Sequence, residues 1–317
     1  MISAGVIGYR NHSKKIIDIA RKNSKIKFIY HPYKKIRLKN FTNNLEDLLK
    51  VDCVFILSPN NSHYKYLHYF NKKKYNGYIF CEKPPVLKIN EVKKLKSFKL
   101  KNTYFNFNYR HSPVLKFLKH NKQLGRLINI SIIDSKPLIY KNGFKKNWRF
   151  DTKEILINNN LIHFVDLVGF CFKEKISDLT LLSSKSKPDI KIFDTVQVSF
   201  KINKILANIS VSYGSILEKK ILFYYSNGKV EICNNRLKIY YPGRLKNKNG
   251  NYIEPKLLKT QKINDLSKYS LRKSVEYFLK KVKLKQKFLN HETSKSIISN
   301  ILCIKLTNSL KNRSLNP

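Results

Sequence analysis

The sequence contains few small and few acidic residues. Alanine occurs three times in 317 residues, glycine and proline ten times each, and 20 acids face 64 bases, giving a formal net charge of +44. Only ten of those bases are arginine. Proteins that bind nucleic acid use arginine for bidentate contacts, so this scarcity argues against the nucleic-acid partner that the charge first raises. Lysine, asparagine and isoleucine have AT-rich codons, and we attribute the charge mainly to an AT-rich genome.

Paired cysteines and long hydrophobic runs are also missing. The five cysteines stand singly and form no CxxC motif, so we expect no metal site and no disulfide framework. No apolar run approaches the ~18 residues of a membrane span. The first residues hold no basic segment followed by a long apolar core, so no signal peptide is predicted. These absences together predict a cytoplasmic protein with no membrane partner.

The N-terminal third alternates short apolar runs with helical patterns. Strands are expected at Ser3–Ile7, Ile26–Tyr30, Cys53–Leu57, Tyr78–Cys81 and Thr103–Phe107. Amphipathic helices are expected between them, at Ser13–Lys22, after Asn44, at Ser62–Lys73 and at Asn90–Phe98. Strands that alternate with helices through short loops predict an α/β fold, a doubly wound parallel sheet of the Rossmann type.

The pattern changes after Pro113. Six apolar runs follow with few helices between them, which predicts an α+β domain with an open, largely antiparallel sheet. One helix, Leu156–Gly169, interrupts the strands, and the tail returns to helix. At roughly 150 residues per domain the length predicts two domains. We place the boundary after residue 112, with the α/β domain over residues 1–112 and the α+β domain over residues 113–317.

The turn after the first strand resembles a dinucleotide-binding turn that has lost two glycines. It reads Gly8-Tyr9-Arg10-Asn11-His12-Ser13 where the pattern is G-x-G-x-x-G. Ser13 is small, and its hydroxyl is also able to donate to a phosphate at the helix start. Arg10 either blocks a pyrophosphate or binds it. A purely structural turn remains the alternative.

The second predicted strand ends without the acid that usually holds the ribose hydroxyls. The segment reads Tyr30-His31-Pro32-Tyr33-Lys34-Lys35. If a cofactor binds, Lys34 and Lys35 favour NADP over NAD, because its 2′-phosphate attracts cations. The alternative is that both lysines are solvated loop residues.

Several further motifs occur in an order that resembles the Gfo/Idh/MocA family, named after glucose–fructose oxidoreductase, inositol 2-dehydrogenase and a rhizopine-catabolism protein. They are Ser58-Pro59-Asn60-Asn61-Ser62-His63, Glu82-Lys83-Pro84, Phe107-Asn108-Tyr109-Arg110, Gly125-Arg126-Leu127-Ile128, Trp148-Arg149 and His163-Phe164-Val165-Asp166. The resemblance covers residues 2–170. Each motif alone is weak, and their order carries the argument.

The resemblance implies an NAD(P)-dependent oxidoreductase of carbohydrate metabolism that transfers a hydride between the nicotinamide and a sugar or polyol hydroxyl. It also implies that residues 1–112 form the dinucleotide-binding domain and that residues 113–317 form the substrate and oligomerisation domain of a homo-oligomer. Lys83 and His163 would be catalytic. The residues expected at the cofactor are Gly8, Arg10, Asn11, His12, Ser13, Lys34, Ser58, Pro59, Asn60, His63, Glu82 and Lys83. Those expected at the substrate are Lys83, Arg110, Trp148, Asn159, His163 and Asp166.

The helix around His163 supports a site independently of the family. It is apolar nearly all round, while Asn159, His163 and Asp166 follow at i, i+4 and i+7 and share one face. A polar stripe on a buried helix needs hydrogen-bond partners or a ligand. Yet the family usually has an acid where Asn159 stands, and asparagine accepts no proton. The usual glycine-rich run before the helix is also missing. The alternative function is therefore a catalytically degenerate member that acts as a binding or partner subunit.

Overall fold

The computed structural model describes residues 1–32, 37–98, 102–118, 123–140, 155–172, 174–187, 190, 192–241 and 246–313. The chain divides into two compact units. The first comprises Met1–His111 and Tyr269–Ile304, and the second comprises Ser112–Lys268 and Lys305–Pro317. No described helix is long and apolar enough to cross a membrane.

The first unit is built on a six-stranded sheet whose order is β3-β2-β1-β4-β5-β6. All neighbouring strands run parallel. The strands are β1 Ile2–Ile7, β2 Ser24–Tyr30, β3 Phe41–Thr42, β4 Cys53–Ile56, β5 Tyr78–Glu82 and β6 Thr103–Asn106. This is the predicted doubly wound sheet. Every residue of β4 is buried, as expected of a central parallel strand covered on both faces.

Helices follow the strands as the sequence predicts. They are α1 Asn11–Ala20, α2 His63–Lys72 and α3 Ile89–Ser97. The apolar face of α1, with Ile16, Ile17 and Ala20, is buried. Asn44 caps a short 3₁₀ helix, Leu45–Lys50, and its side chain accepts a hydrogen bond from the Glu46 amide at 3.0 Å. The expected cap is therefore present.

Part of the C-terminal tail belongs to the core of the first unit. Helix α5 spans Leu266–Lys283, and α6 spans Asn290–Arg313. Phe278 of α5 lies 5.2 Å from Phe55 and 5.3 Å from Phe80, measured between ring centroids. Residues 269–304, which the sequence analysis assigned to the second domain, thus pack in the first unit. The tail's helical pattern shows that it needs a partner surface without showing which one.

The second unit contains an eight-stranded sheet in the order β14-β13-β12-β11-β7-β10-β9-β8. Only β7 and β10 are parallel neighbours, and the other pairs are antiparallel. The strands are β7 Leu127–Ser135, β8 Ile176–Ser184, β9 Thr195–Ile202, β10 Ile205–Ser212, β11 Glu218–Tyr225, β12 Gly228–Cys233, β13 Arg236–Tyr241 and β14 Lys256–Lys262. The expected open, largely antiparallel sheet is confirmed.

The helix that interrupts this sheet differs from the prediction in one respect. Ile155 and Leu156 are already α-helical, a π-helical turn follows at Ile157–Leu161, and the helix continues as α4, Ile162–Cys171. The sequence predicts one α-helix here because its apolar residues suit either backbone. A π turn pairs residue i with i+5 instead of i+4, so the spacing from Asn159 to His163 is no longer that of an α-helix.

Candidate active site

The turn after β1 requires its glycine. Gly8 has a φ of +97°, and a Cβ on it would lie 2.8 Å from the backbone oxygen of Leu57, just beyond β4. Its amide donates at 3.0 Å to the carbonyl of Tyr30, the last residue of β2. The first glycine of the expected turn is therefore needed both for its backbone conformation and for the close approach of β4.

The other two glycine positions are filled in different ways. Ser13 is buried, and its hydroxyl donates to the Leu57 oxygen at 3.1 Å, so its single hydroxyl hydrogen serves the helix–strand contact rather than a phosphate. Arg10 is exposed and extended at the N-cap of α1, where its side chain makes no capping hydrogen bond. No acid lies in the first turn of α1. The amide groups of that turn are thus suited to an anion.

Glu82, at the end of β5, is a buried carboxylate near the start of α1. Its Oε1 accepts a hydrogen bond from Asn106 Nδ2 at 2.6 Å and lies 3.4 Å from His12 Nε2. Burial alone raises the pKa of Glu82. The opposing effects are larger, so the net pKa lies below its usual range: they are the hydrogen bond to His12, the charges of His12 and Lys83, and the hydrogen bond from the Asn106 amide. Glu82 therefore places a fixed negative charge beside Lys83.

A chain of hydrogen bonds runs from Glu82 to His111. Ser274 of α5 donates to Asn106 Oδ1 at 2.6 Å. Because this bond uses the serine hydrogen, the Tyr104 hydroxyl donates to Ser274, 2.7 Å away. His111 Nε2, 2.9 Å from the Tyr104 oxygen, must then carry a hydrogen. The network fixes Asn106, and through it the orientation of Glu82.

His63 lies between two loops near this carboxylate, the loop at Ser58-Pro59 and the turn at Lys83-Pro84. The side chain is fully buried, with Nδ1 lying 2.8 Å from the Pro84 oxygen and Nε2 lying 2.9 Å from the Ser58 oxygen. Burial lowers the pKa of His63 more than the two carbonyls raise it. Both ring nitrogens face the backbone, so His63 is placed to hold the Ser58-Pro59 loop against the Lys83-Pro84 turn.

The remaining predicted residues of the first unit lie in different surroundings. Asn11 and His12 are exposed, and Asn60 is partly exposed in a short 3₁₀ helix. Arg110 is buried, donates to the Glu292 carbonyl at 2.8 Å and lies over Phe107. Its guanidinium thus serves packing within the first unit. Lys34, Lys35 and Trp148 lie outside the described residues.

In the second unit, the structure places the predicted polar residues on one continuous helical segment. Asn159 and His163 are partly exposed, whereas Asp166 is buried at 1% exposure. The apolar residues of the segment from Ile157 to Val168 are buried, as expected.

Asn160, which directly follows Asn159, was not among the residues predicted from the sequence. Its Nδ2 donates to Asp134 Oδ2 at 2.7 Å, and its Oδ1 accepts from the Tyr213 hydroxyl at 2.8 Å. The run Asn158-Asn159-Asn160 within an apolar helix is the one local signal that pointed to it.

The first unit fits a dinucleotide. It combines a glycine turn packed on β4, an α1 N-terminus without a side-chain cap, and a basic residue at position 10. In Rossmann-type sheets a glycine turn of this kind lies against the pyrophosphate of a dinucleotide.

A family model also describes part of the first unit as an NAD-binding Rossmann fold. The family model described as "Oxidoreductase family, NAD-binding Rossmann fold", that of the Gfo/Idh/MocA family, matches residues 3–103. The family resemblance seen in the sequence is confirmed over these residues. No curated protein sequence matches the chain.

Solved structures of sugar dehydrogenases share the fold. A UDP-N-acetylglucosamine 3-dehydrogenase from Acidithiobacillus ferrooxidans has a TM-score of 0.75 at 16% identity, covering 97% of each chain. A levoglucosan dehydrogenase in complex with NADH and levoglucosan has a TM-score of 0.77 at 13% identity, covering 98% of each chain. A myo-inositol 2-dehydrogenase from Lactobacillus plantarum has a TM-score of 0.73 at 16% identity, covering 98% of this chain and 97% of that chain. At these identities the likeness concerns the fold.

Proposed function

We propose that the protein is an NAD(P)-dependent oxidoreductase that acts on a hydroxyl of a sugar, sugar derivative or polyol. The observation that carries the proposal is the Gly8 turn, packed on the end of β4 before an uncapped helix, in a segment that matches an NAD-binding oxidoreductase family. The sugar dehydrogenases that share its fold support the substrate class. All five cysteines are free thiols, compatible with the cytoplasm, where we place the reaction.

In this proposal the backbone turn and the start of α1 hold the pyrophosphate, and Glu82 and Lys83 stand at the reacting end. A bound nicotinamide supplies the hydride acceptor or donor. Lys83 orients the substrate hydroxyl and stabilises negative charge on its oxygen, since an ammonium group is a compact positive charge. The buried Glu82 carboxylate precedes Lys83 in the chain and supplies the negative charge beside this ammonium group. His163 is the proposed acid–base residue, because imidazole exchanges protons near neutral pH. Asn159 hydrogen-bonds the sugar without taking a proton.

Titration with NADH and NADPH side by side tests the cofactor. We expect quenching or a shift of nicotinamide fluorescence on binding, with NADPH preferred if Lys34 and Lys35 reach the 2′-phosphate. A protein that binds neither cofactor at millimolar concentration would contradict the proposal.

Lys83→Ala tests the chemistry. We expect turnover to be abolished with an unchanged circular dichroism spectrum and cofactor affinity close to that of the wild type. Lys93→Ala, which removes an exposed lysine from α3, is the matched control and should keep full activity. If the wild type binds cofactor but turns over no member of a broad sugar panel, the degenerate binding subunit replaces the enzyme as the function.

Arg10→Gly decides what the arginine does at the second glycine position. If the guanidinium binds the pyrophosphate, the substitution weakens cofactor binding, and more strongly at low salt, where charge interactions are less screened. If the side chain blocks the site, the same substitution strengthens binding. Either direction identifies the role, and an unchanged affinity removes Arg10 from the site.

A further inference from the structure

Asn160 links the π-helical turn to two strands of the sheet in the second unit. Its amide donates to Asp134 on β7 and accepts from Tyr213, the residue after β10, at 2.7 and 2.8 Å. Both partners are buried, with exposures of 4% for Asp134 and 2% for Tyr213. A carboxylate only accepts, so the amide nitrogen of Asn160 must face Asp134. The amide is therefore fixed in one orientation.

The buried Asp134 carboxylate has cations beside it. Lys219 pairs with it across β11 and β7, with its Nζ 3.7 Å from Oδ1, and the Nζ of Lys136 lies 4.0 Å from Oδ2. Lys219 also donates to Ser267 Oγ at 2.8 Å. Two ammonium groups thus balance the charge that anchors Asn160. A buried carboxylate without such partners would be strongly destabilising.

Asn160 lies within the π turn, next to Asn159. A π turn has a non-standard hydrogen-bond register, and such turns occur frequently at functional sites. This turn carries Asn159 and leads directly into α4, where His163 lies three residues after Asn160. Whatever fixes Asn160 therefore fixes the rotation of the backbone that presents Asn159 and His163.

We propose that Asp134, Asn160 and Tyr213 form a positioning cluster that holds the π turn so that Asn159 and His163 face the substrate. The cluster touches no reacting atom and acts through the helix backbone. The inference rests on the proposed function for its catalytic consequence, while the effect on the helix is measurable without substrate.

The decisive experiment exchanges the amide and the carboxylate. In Asn160→Asp two carboxylates face each other in a buried site, and the donated hydrogen bond is lost. In the double variant Asp134→Asn with Asn160→Asp, the amide at 134 donates to the carboxylate at 160, which still accepts from Tyr213. The double variant therefore restores both hydrogen bonds with the roles reversed.

We expect Asn160→Asp to lower kcat at least ~10-fold, the effect of losing one charge-assisted hydrogen bond at a site that must be held rigidly, with KM for the cofactor unchanged. The double variant should recover kcat to within ~3-fold of the wild type. Ser199→Ala is the matched control, since it removes one side-chain hydrogen bond, 2.7 Å to Asn208, elsewhere in the same sheet. It should leave kcat unchanged. If Asn160→Asp does not fold, Tyr213→Phe replaces it as the test variant, because it removes only the hydroxyl that donates to Asn160.

Hydrogen–deuterium exchange of peptides covering residues 157–171 gives the second readout. Faster exchange in Asn160→Asp and restored protection in the double variant support the cluster even if the wild type oxidises no sugar, in which case the proposed function alone fails. Normal kcat in a folded Asn160→Asp protein, or a folded double variant that restores neither activity nor protection, overturns the positioning role. If Asn160→Asp does not fold, unchanged exchange and kcat in Tyr213→Phe overturn it as well.

Discussion

Mild acid is expected to destabilise the first unit through His111. Burial and, to a smaller extent, the neighbouring charge of Arg110 together lower the pKa of His111 from 6.5 to about 4. The folded chain thus keeps this ring neutral at a pH where the unfolded chain binds a proton. The unfolded state binds more protons between those two values, so the contribution of His111 is complete above pH 6.5 and is lost as the pH falls towards 4.

The magnitude follows from the two pKa values. Between pH 7 and pH 5 the linkage relation gives a loss of about 2 kcal/mol for this single histidine. Solvent screening of a half-buried ring makes this an upper value. With a urea dependence of roughly 2 kcal/mol per molar, the unfolding midpoint should fall by about 1 M over that range.

Urea unfolding followed by far-ultraviolet circular dichroism at pH 7, 6 and 5 measures this loss. The comparison variant is His111→Gln, whose amide still bonds the Tyr104 hydroxyl and does not titrate. His68→Gln, at an exposed histidine of α2, is the control and should keep the pH dependence of the wild type. The reasoning is refuted if His111→Gln loses as much stability as the wild type between pH 7 and pH 5.

Three further substitutions test the site's construction. Gly8→Ala should lower the free energy of unfolding in urea by roughly 2–4 kcal/mol, because the new Cβ overlaps backbone atoms at a residue with positive φ. Gly250 has a φ of +81° and nothing within 4 Å of an added Cβ, so Gly250→Ala should lower it by only about 1 kcal/mol. Equal losses in the two variants would contradict the role of the overlap. Ser274→Ala should lower stability by about 1–3 kcal/mol, seen as a lower Tm, because Tyr104 and Asn106 lose a buried partner. His63→Leu should speed hydrogen exchange in peptides 58–62 and 83–88, since it releases both loops; unchanged exchange would show that His63 does not hold them.

Much of the fold was predictable because the apolar period is local. β1, β4 and α1 each carry their own pattern, and the structure places each within a few residues of the prediction. β14 was not predicted, because every residue of Lys256–Lys262 is exposed and the strand shows no alternation of buried and exposed positions. The π turn was also not predicted, since its residues suit an α-helix equally well.

The site was predictable to the extent that motifs carry it. Gly8 and Lys83 directly follow strands and Glu82 ends one, so the sequence places them at the carboxyl edge of a parallel sheet. The Ser274 hydroxyl was not predictable, because it reaches Asn106 from 168 residues along the chain. Nothing in the sequence near Ser274 indicates that contact.

A few of the acidic residues are buried in the folded chain. The chain has 64 bases and 20 acids, and a buried carboxylate needs hydrogen bonds or cations to offset the free-energy cost of its burial. Among the described residues Glu82, Asp134, Asp166 and Asp194 are buried at 7% exposure or less. Asp194 accepts from the Ser186 amide, the Ser186 hydroxyl and the Thr195 hydroxyl. Motifs identified Glu82 and Asp166, whereas Asp134 and Asp194 are marked only by contacts made in the folded chain, so in this composition a buried acid is itself an indicator of a constrained site.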